Sequence, residues 1–558
     1  MGNIRKNKNI DQKLFILITC LIGGGWFLFL YGIDVVDVTN DRWILGANSD
    51  ITQHYLGWRY YRMSDWHLMF GLLDGITYPH SLSIIYMDVI PLFAVFFKIL
   101  SPILPETFQY FGLYGFVSFM AQSCLAALLM DKMTGNKSLS ILFGYFTLTY
   151  PVIYQRMFDH TALAGHWIIF LSIYVWYTKQ KYASLKRESI RWGIVMSLAV
   201  FLHPYYIPMI VVMMCCSILE EMIDGKWKVG CFSGLFAVMA ALFWMYCLGA
   251  FYGEAVVTDE GLGVFSLNLN GYYNPQQLGK LFKSWPNQYA EQAEGFAYLG
   301  AGWLVALLLT AFILLFVVRK AFTRKRKLAL FYMVIMTMLA LSPVITWNGV
   351  ILFRINYPES INKFLSIFRS SGRFGWPVAY MMMTGTFSVL VWFLKRREAV
   401  CLVICLIGLQ LIDLYPYMKF RAYEVTQRNS ESMLLSEVWE EVAEDYQHIV
   451  FLTRNGEADD KLVSEYLGIN KVFSIMKYAA DNGMTLNDGY VSRRDIKAIN
   501  QTKEQYWTGL LNGDPKEDSI YIFCDVPYDI EVCLHLYYID ELVVGVPKPF
   551  KNKLLREI

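Results

Sequence analysis

Charge is what this chain has least of. Only 17% of its 558 residues are Asp, Glu, Lys or Arg, against 56% hydrophobic and 16% aromatic, and the mean hydropathy is positive. A water-soluble globular protein rarely has that balance. The net charge is only +2 and no basic run is interleaved with aromatics, which argues against a nucleic-acid surface. Metal spacing is missing from the ten cysteines: Cys20, Cys124, Cys215, Cys216, Cys231, Cys247, Cys401 and Cys405 lie in apolar segments, where cysteine acts as a small hydrophobe. Cys524 and Cys533 alone fall in a polar region, and their spacing leaves open whether they pair. No small-residue cleavage site follows the first apolar stretch, which reads as a retained anchor. No internal repeat or low-complexity segment is evident.

What is present is membrane-length apolar sequence. Runs occur near residues 14 to 33, 107 to 130, 138 to 155, 161 to 178, 190 to 202, 205 to 221, 229 to 251, 296 to 318, 328 to 345, 374 to 394 and 399 to 417, which predicts eleven spans of an α-helical polytopic membrane protein. Basic clusters stand at Arg5-Lys6-Asn7-Lys8, Lys132 to Lys137, Lys179 to Arg191, Lys226 to Lys228, Arg319 to Lys327 and Lys395-Arg396-Arg397. Eleven spans with the N-terminus in the cytoplasm place all of them inside. The run "SIIYMDVIPLFAVFFKIL", 83 to 100, would reverse that if it crossed, so it reads as a re-entrant or interfacial helix. The long loops at 34 to 106, 252 to 295 and 346 to 373 then face outward, and so does the tail. Two domains are expected: a transmembrane domain over 1–417 with a large first extracytoplasmic loop, and an outward α/β domain over 418–558, where "ESMLLSEVWEEVAEDY" is helical by pattern and "HIVFLT" and "IYIFCD" read as strands.

The candidate chemistry crowds this outward side. In "NSDITQHYLGW", 48 to 58, Asp50 followed by Gln53 fits a capping box. Helical spacing also puts Asp50, His54, Gly57 and Tyr61 on one face, where a carboxylate and an imidazole one turn apart can share a proton or a metal ion and the glycine leaves room for a ligand. The aromatic, arginine-rich stretch 50 to 66 reads as a helix at headgroup level, with Arg59 and Arg62 near lipid phosphates. Asp88 sits within an apolar helix, where an isolated carboxylate is functional or paired with an arginine. "QRMFDHTALAGHW", 155 to 167, places Asp159, His160 and His166 at the outer ends of two spans; two histidines six apart are no recognised zinc pair, and structural hydrogen bonding is an equal reading. In "FRSSGRFGWP", 368 to 377, Arg369 and Arg373 lie one turn apart around small residues whose amides can approach a phosphate or pyrophosphate. Lipid-headgroup anchoring is the competing reading. The loop 266 to 300, with Glu291 and Glu294, mixes amides and aromatics that suit a sugar or any ordered loop.

Seven segments, "SDITQHYLGWRYYR", "SIIYMDVIPL", "QRMFDHTALAGHW", "SLNLNGYYNP", "EGFAYLG", "FRSSGRFGWP" and "MTLNDGYVSRRD", scattered from residue 49 to 495, resemble in order and spacing the GT-C superfamily of membrane glycosyltransferases. The resemblance is closer still to a bacterial multi-pass family in that superfamily's orbit with an Asp-x-x-Gln-His-x-x-Gly-Trp first loop. It implies a GT-C-like fold and transfer of a sugar from a polyprenyl-phosphate donor to a glycan, lipid or protein acceptor of the cell envelope. It further implies that Asp50 is the first-loop base or metal-site carboxylate and Asp159 the second acidic residue, with Mg or Mn as the metal where one is used. Arg369 and Arg373 would meet the donor phosphate, and Gln53, Asp88, His160 and His166 would complete the pocket. The chain departs from the pattern in carrying His54 where paired first-loop carboxylates stand, which puts direct metal coordination in doubt. A transporter or flippase of lipid-linked saccharides predicts polar residues through the middle of several spans, whereas here the ionisable residues crowd the outer ends. A non-catalytic envelope scaffold leaves these clusters without a purpose.

Overall fold

A computed structural model of the chain describes residues 11–179, 184–254, 261–316, 323–453, 461–525 and 533–551. The basic cluster at Arg5 to Lys8, and parts of those at 179–191 and 319–327, lie outside the described residues. The chain divides into two compact units: unit 1 holds residues 1–40, 110–242 and 257–427, and unit 2 holds 41–109, 243–256 and 428–558. The strands among the described residues are β1 (Leu72–Thr77), β2 (His80–Ser83), β3 (Val344–Trp347), β4 (Val350–Arg354), β5 (His448–Leu452), β6 (Thr485–Leu486), β7 (Ser519–Phe523), β8 (His535–Ile539) and β9 (Leu542–Val546).

Unit 1 is helical because its sequence offers long apolar runs without a two-residue period. Each of the eleven expected runs is helical, although 138 to 155 is broken at Pro151 into Lys137–Leu148 and Pro151–Met157. Among the described residues six helices are long and apolar enough to cross a membrane: Gln12–Tyr31, Phe111–Thr134, Tyr206–Ile223, Trp227–Cys247, Ser371–Phe393 and Arg396–Gln427. Thr161–Tyr177 and Ala301–Leu315 are apolar but shorter, so length and composition support fewer crossings than eleven. The helices differ in what they face. In the most apolar stretch of Ser371–Phe393, 78% of the residues are buried, against only 28% in that of Trp227–Cys247, which leaves Phe232, Leu235, Phe236 and Met239 exposed. An outer face that apolar belongs in lipid.

Small residues set the helix spacing. A Cβ on Gly23 would fall 2.3 Å from the Phe119 carbonyl oxygen, so the Gln12–Tyr31 and Phe111–Thr134 helices meet backbone to backbone, the close approach that glycine permits between membrane helices. Polar residues in the Arg396–Gln427 helix satisfy another helix start. Asp413, 1% exposed, accepts from the Ala301 amide at 3.0 Å and the Tyr298 hydroxyl at 2.7 Å, and Gln410 accepts from the Gly302 amide at 2.9 Å. The unpaired amides that open the Ala301–Phe316 helix are thereby capped from a neighbouring helix.

Unit 2 is built on a five-stranded sheet in the order β6-β5-β7-β9-β8. β5 runs parallel to β6 and β7, and β9 antiparallel to β7 and β8. "HIVFL" and "SIYIF" are nearly continuous apolar strands because the sheet is covered on both faces; Val450, Leu452, Tyr521 and Phe523 pack there with Trp507 and Leu510 of the helix Ile496–Leu511. The expected strands are thus present, while the helix foreseen over 431 to 446 shortens to Val438–Asp445. Cys524 and Cys533 are not joined by a disulfide.

The domain boundary differs from the expected one. The last long helix continues past residue 417 to Gln427, and the first loop from Asp41 packs with the tail in unit 2. The helix Asp50–Met63 lies on Ile469–Asp481, where Arg59 pairs with Asp481 at 2.9 Å and the Tyr60 hydroxyl donates to the Met476 carbonyl at 3.2 Å. This overturns the headgroup-level reading of 50 to 66: ten of the helix's residues are buried in protein, and Arg62 donates to the carbonyls of Pro105 and Glu106 at 2.8 and 2.9 Å. The run 83 to 100 is too broken to span, since Asp88 and Ile90 have φ of 50° and 57° and only Pro91–Ile99 is α-helical.

The loop after β6 is fixed by an ionic cluster. Asp488, fully buried, pairs with Arg494 at 2.9 Å and Lys503 at 2.7 Å, both nearly buried themselves. Removing the carboxylate leaves two cations without water or a counter-charge, so Asp488→Ala is expected to cost about 3–5 kcal/mol. Thermal unfolding of the purified protein measures this; a loss of only about 1 kcal/mol, the worth of an exposed pair, would contradict it.

Candidate functional site

Unit 2 gathers the first-loop candidates with a tail loop 400 residues away in sequence. Ser49, in extended conformation, is the N-cap of the helix and Asp50 is its first residue, so the expected capping box is not formed. Asp50 instead lies in the first helical turn, where a negative charge meets the positive end of the helix dipole, and its Oδ1 accepts from the Tyr490 hydroxyl at 3.3 Å. Gln53 turns away from the cap: its Nε2 donates to the Ser492 hydroxyl at 3.1 Å and to the Tyr86 carbonyl at 3.4 Å. One turn after Asp50, the His54 imidazole is 1% exposed and its Nε2 lies 3.9 Å from Asp88 Oδ2. Ser492 also donates to Asp88 Oδ2, at 3.4 Å.

Asp88 owes its position to the backbone. It is no longer part of an apolar helix, as its sequence context implies, but a left-handed residue closing the short turn Ile84–Met87. The reading of Gly57 is corrected as well. A Cβ there would lie 2.6 Å from Met87 Cβ and 2.9 Å from Val89 Cγ1, so the glycine lets the helix press onto the Asp88 segment and leaves no ligand space. The result is a patch with two partly exposed carboxylates, Asp50 and Asp88, a buried imidazole and two hydroxyls. In the same unit, a cavity of about 100 Å³ is lined by His80, Ser81, Tyr86, Tyr252 and Asp495. Sequence reasoning missed Tyr490 and Ser492 as site residues; their one signal was the segment "MTLNDGYVSRRD".

Unit 1 holds a second cluster, and its centre is Glu294. The carboxylate receives Arg156 at 2.9 Å on Oε1 and Arg373 at 2.6 Å on Oε2, and Arg156 also donates to the Glu294 carbonyl at 3.0 Å. Arg373 lies over the Tyr205 ring, 4.5 Å from its centroid. Burial by itself would push the Glu294 carboxyl up, but Arg156 and Arg373, with His160 adding to them, hold it well below the usual carboxylate range. Asp159 is paired with Arg421 at 2.5 Å, and Arg421 also binds Glu424.

Arg369 does not join Arg373. It is exposed and lies over Phe265, 5.7 Å from the ring. Nor do the small residues between them offer a phosphate nest: the amides of Ser370, Ser371, Gly372 and Arg373 donate to Tyr205 Oη and to the carbonyls of Arg369, Phe265 and Ser370. Gly372 is required by packing, because its Cβ would stand 2.5 Å from Gly295 Cα. His166 is wholly buried, with Nδ1 2.7 Å from the Tyr380 hydroxyl and its ring against Trp376, which is the structural hydrogen bonding that competed with a pocket role. Among the described residues no group of three or more His, Cys, Asp or Glu side chains is disposed to hold a metal ion. The two carboxylates expected to do so are engaged separately, Asp159 by Arg421 and Asp50 by Tyr490, so these donors do not fit the expected Mg or Mn site.

A carboxyl whose folded pKa lies below its unfolded value contributes stability that is complete above the unfolded pKa and is lost as pH falls through the folded one. Glu294→Gln is therefore expected to lower the unfolding midpoint near neutral pH, and the gap from the unsubstituted protein is expected to narrow as the buffer is taken below about pH 4.3, the ordinary glutamate value. Paired melting curves over that range check it, and a gap indifferent to pH would count against the ion pairs.

Comparison with known families covers most of the chain. The family described as "Domain of unknown function (DUF6311)" matches residues 20–415, and "DUF6311 C-terminal domain" matches residues 438–547. No curated protein matches the chain. Both matched segments contribute to the unit 2 cluster, the first through Asp50, Gln53, His54 and Asp88 and the second through Tyr490 and Ser492. The chain belongs to the DUF6311 family.

Proposed function

We propose that the protein is an integral membrane glycosyltransferase that moves a sugar from a polyprenyl-phosphate donor to a glycan, lipid or protein acceptor at the outer face of the cell membrane. In this reading all eleven helical runs thread the membrane, the N-terminus is inside, and the tail and first loop are outside. The observation that carries it is the gathering of Asp50, Gln53, His54 and Asp88 with Tyr490 and Ser492, far apart in sequence, into one polar patch with accessible carboxylates.

The chemistry assigns a role to each group. An acceptor hydroxyl oxygen attacks the anomeric carbon, the bond from that carbon to the phosphate oxygen breaks, and the polyprenyl phosphate leaves with the electron pair. The hydroxyl proton goes to a carboxylate base, a contribution of roughly 10²–10⁴-fold in rate. Asp50 is that base in our proposal, since it is partly exposed, whereas the buried His54 is a positioning residue that fixes Asp88. Asp88 and Ser492 receive the acceptor's neighbouring hydroxyls. The departing phosphate needs a cation.

Incubation of purified protein with a panel of polyprenyl-phosphate sugars and envelope acceptors tests the reaction. Asp50→Asn is expected to reduce transfer at least about 100-fold while leaving the melting temperature near that of the unsubstituted protein. Transfer at the unsubstituted rate by a folded Asp50→Asn variant would remove Asp50 from the mechanism.

One observation favours a second reading, transport of lipid-linked saccharides. Gln122, Ser118 and Ser123 from Phe111–Thr134 and Thr384 from the Ser371–Phe393 helix are buried polar side chains well inside apolar helices, and Gln122 lies beside Tyr380, the partner of His166. A carrier moves a labelled lipid saccharide across proteoliposomes without consuming it, and a transferase releases polyprenyl phosphate. The first outcome without the second would replace the enzyme by a carrier.

A further inference from the structure

The outer loop between residues 342 and 370 of unit 1 has a surface that water does not suit. β3 and β4 form a hairpin closed at Trp347 and Val350 across Asn348-Gly349, a turn pair that favours the tight two-residue hairpin. A hairpin strand on a soluble protein alternates between a buried and a polar face. β4 does not: Val350, Leu352 and Phe353 are 60%, 48% and 56% exposed, and Trp347 on β3 is 50% exposed, so apolar side chains project from both faces. The following helix, Glu359–Ser366, repeats the theme. Its Glu359–Lys363 pair, 2.7 Å, lies on one side, while Ile361 and Phe364, 43% and 64% exposed, lie on the other by helical period.

Between hairpin and helix runs a groove of about 470 Å³. Its wall is mixed: Val344 and Ile355 are apolar, while Arg354, Asn356, Tyr357 and Asn362 bring a guanidinium, two amides and a phenol. Five residues after the helix begins Ser371–Phe393, which is long and apolar enough to cross a membrane, so the groove opens where a membrane helix enters the bilayer. An apolar rim, a cationic and amide-lined floor and that position together match an amphiphile with a negative head.

We propose that this groove holds an anionic, phosphate-headed lipid of the surrounding membrane, with its phosphate oxygens on Arg354 and the amides of Asn356 and Asn362 and its chains along Leu352, Phe353, Ile361 and Phe364. The assignment does not rest on sugar transfer, and it replaces the expected phosphate contact at Arg369 with one fifteen positions earlier in the same loop.

Native mass spectrometry of the full-length purified protein, titrated separately with phosphatidylglycerol, phosphatidylcholine and a polyprenyl phosphate, reads the site. Phosphatidylglycerol is expected to bind about tenfold more tightly than phosphatidylcholine, which has the same phosphodiester but brings a choline cation against Arg354 that offsets about one charge-assisted contact. Arg354→Gln is expected to remove that preference, and Phe364→Ser to weaken both phospholipids equally; both positions are exposed, and an unchanged melting temperature confirms that each variant folds. Equal binding of the two phospholipids by the unsubstituted protein, or a preference that survives Arg354→Gln, would overturn the proposal. Binding of polyprenyl phosphate alone would overturn it too, by transferring the groove from a bilayer lipid to the donor.

Discussion

Asp488 is a carboxylate with no access to water, and the arrangement of unit 2 depends on how its charge is met. Taking a lone carboxylate out of water costs more than any single contact returns, so a buried one persists only with counter-charges and hydrogen bonds around it. Arg494 and Lys503 supply the charges, and the Gly489 amide adds a bond at 2.9 Å. Next to it, the Asn487 side chain pairs with both the amide and the carbonyl of Phe451, at 2.8 and 3.1 Å, continuing the edge of β5 as a strand would. The loop from 487 to 495 therefore has little choice of path. Because it is held there, Tyr490 and Ser492 reach Asp50 and Asp88.

The two units solve similar electrostatic problems with different ends. Asp488 and Glu294 each hold two cations, but Asp488 is 0% exposed and Glu294 is 21% exposed. A sealed cluster of this kind fixes a backbone. The Glu294 carboxylate keeps some contact with solvent, while Arg156 and Arg373 are nearly buried and committed to it.

What was legible in the chain was what is local. Helical runs and the two apolar strands follow from length and hydropathy, and the candidate patch could be anticipated in part because Asp50, Gln53 and His54 are neighbours. The misreadings share one cause. Arg59 looked lipid-facing because its partner, Asp481, lies in the tail; Arg373 looked available for phosphate because Glu294 is in another loop. Gly57 and Gly372 looked like room for a ligand, yet the atoms that fill that room belong to Met87, Val89 and Gly295. Sequence displays a residue's chemistry but not its distant partner, and in a low-dielectric protein the partner decides whether a charge is spent or available.

The patch around Asp50 can be divided by the same reasoning. His54 has the residue type most often assigned to proton transfer, but at 1% exposure no substrate hydroxyl reaches it without rearrangement of the helix. Asp50 and Asp88 flank it with part of each carboxylate still open. A proton must pass between atoms in hydrogen-bond contact, so accessibility outranks intrinsic basicity here. The helix start holds Asp50 in place and the left-handed turn holds Asp88, while the imidazole fills the space between helix and turn. Ser49 holds the N-cap position without a side-chain capping bond and Asp50 opens the first turn, so in the proposed reading the partly exposed Asp50 carboxylate is the group left for chemistry.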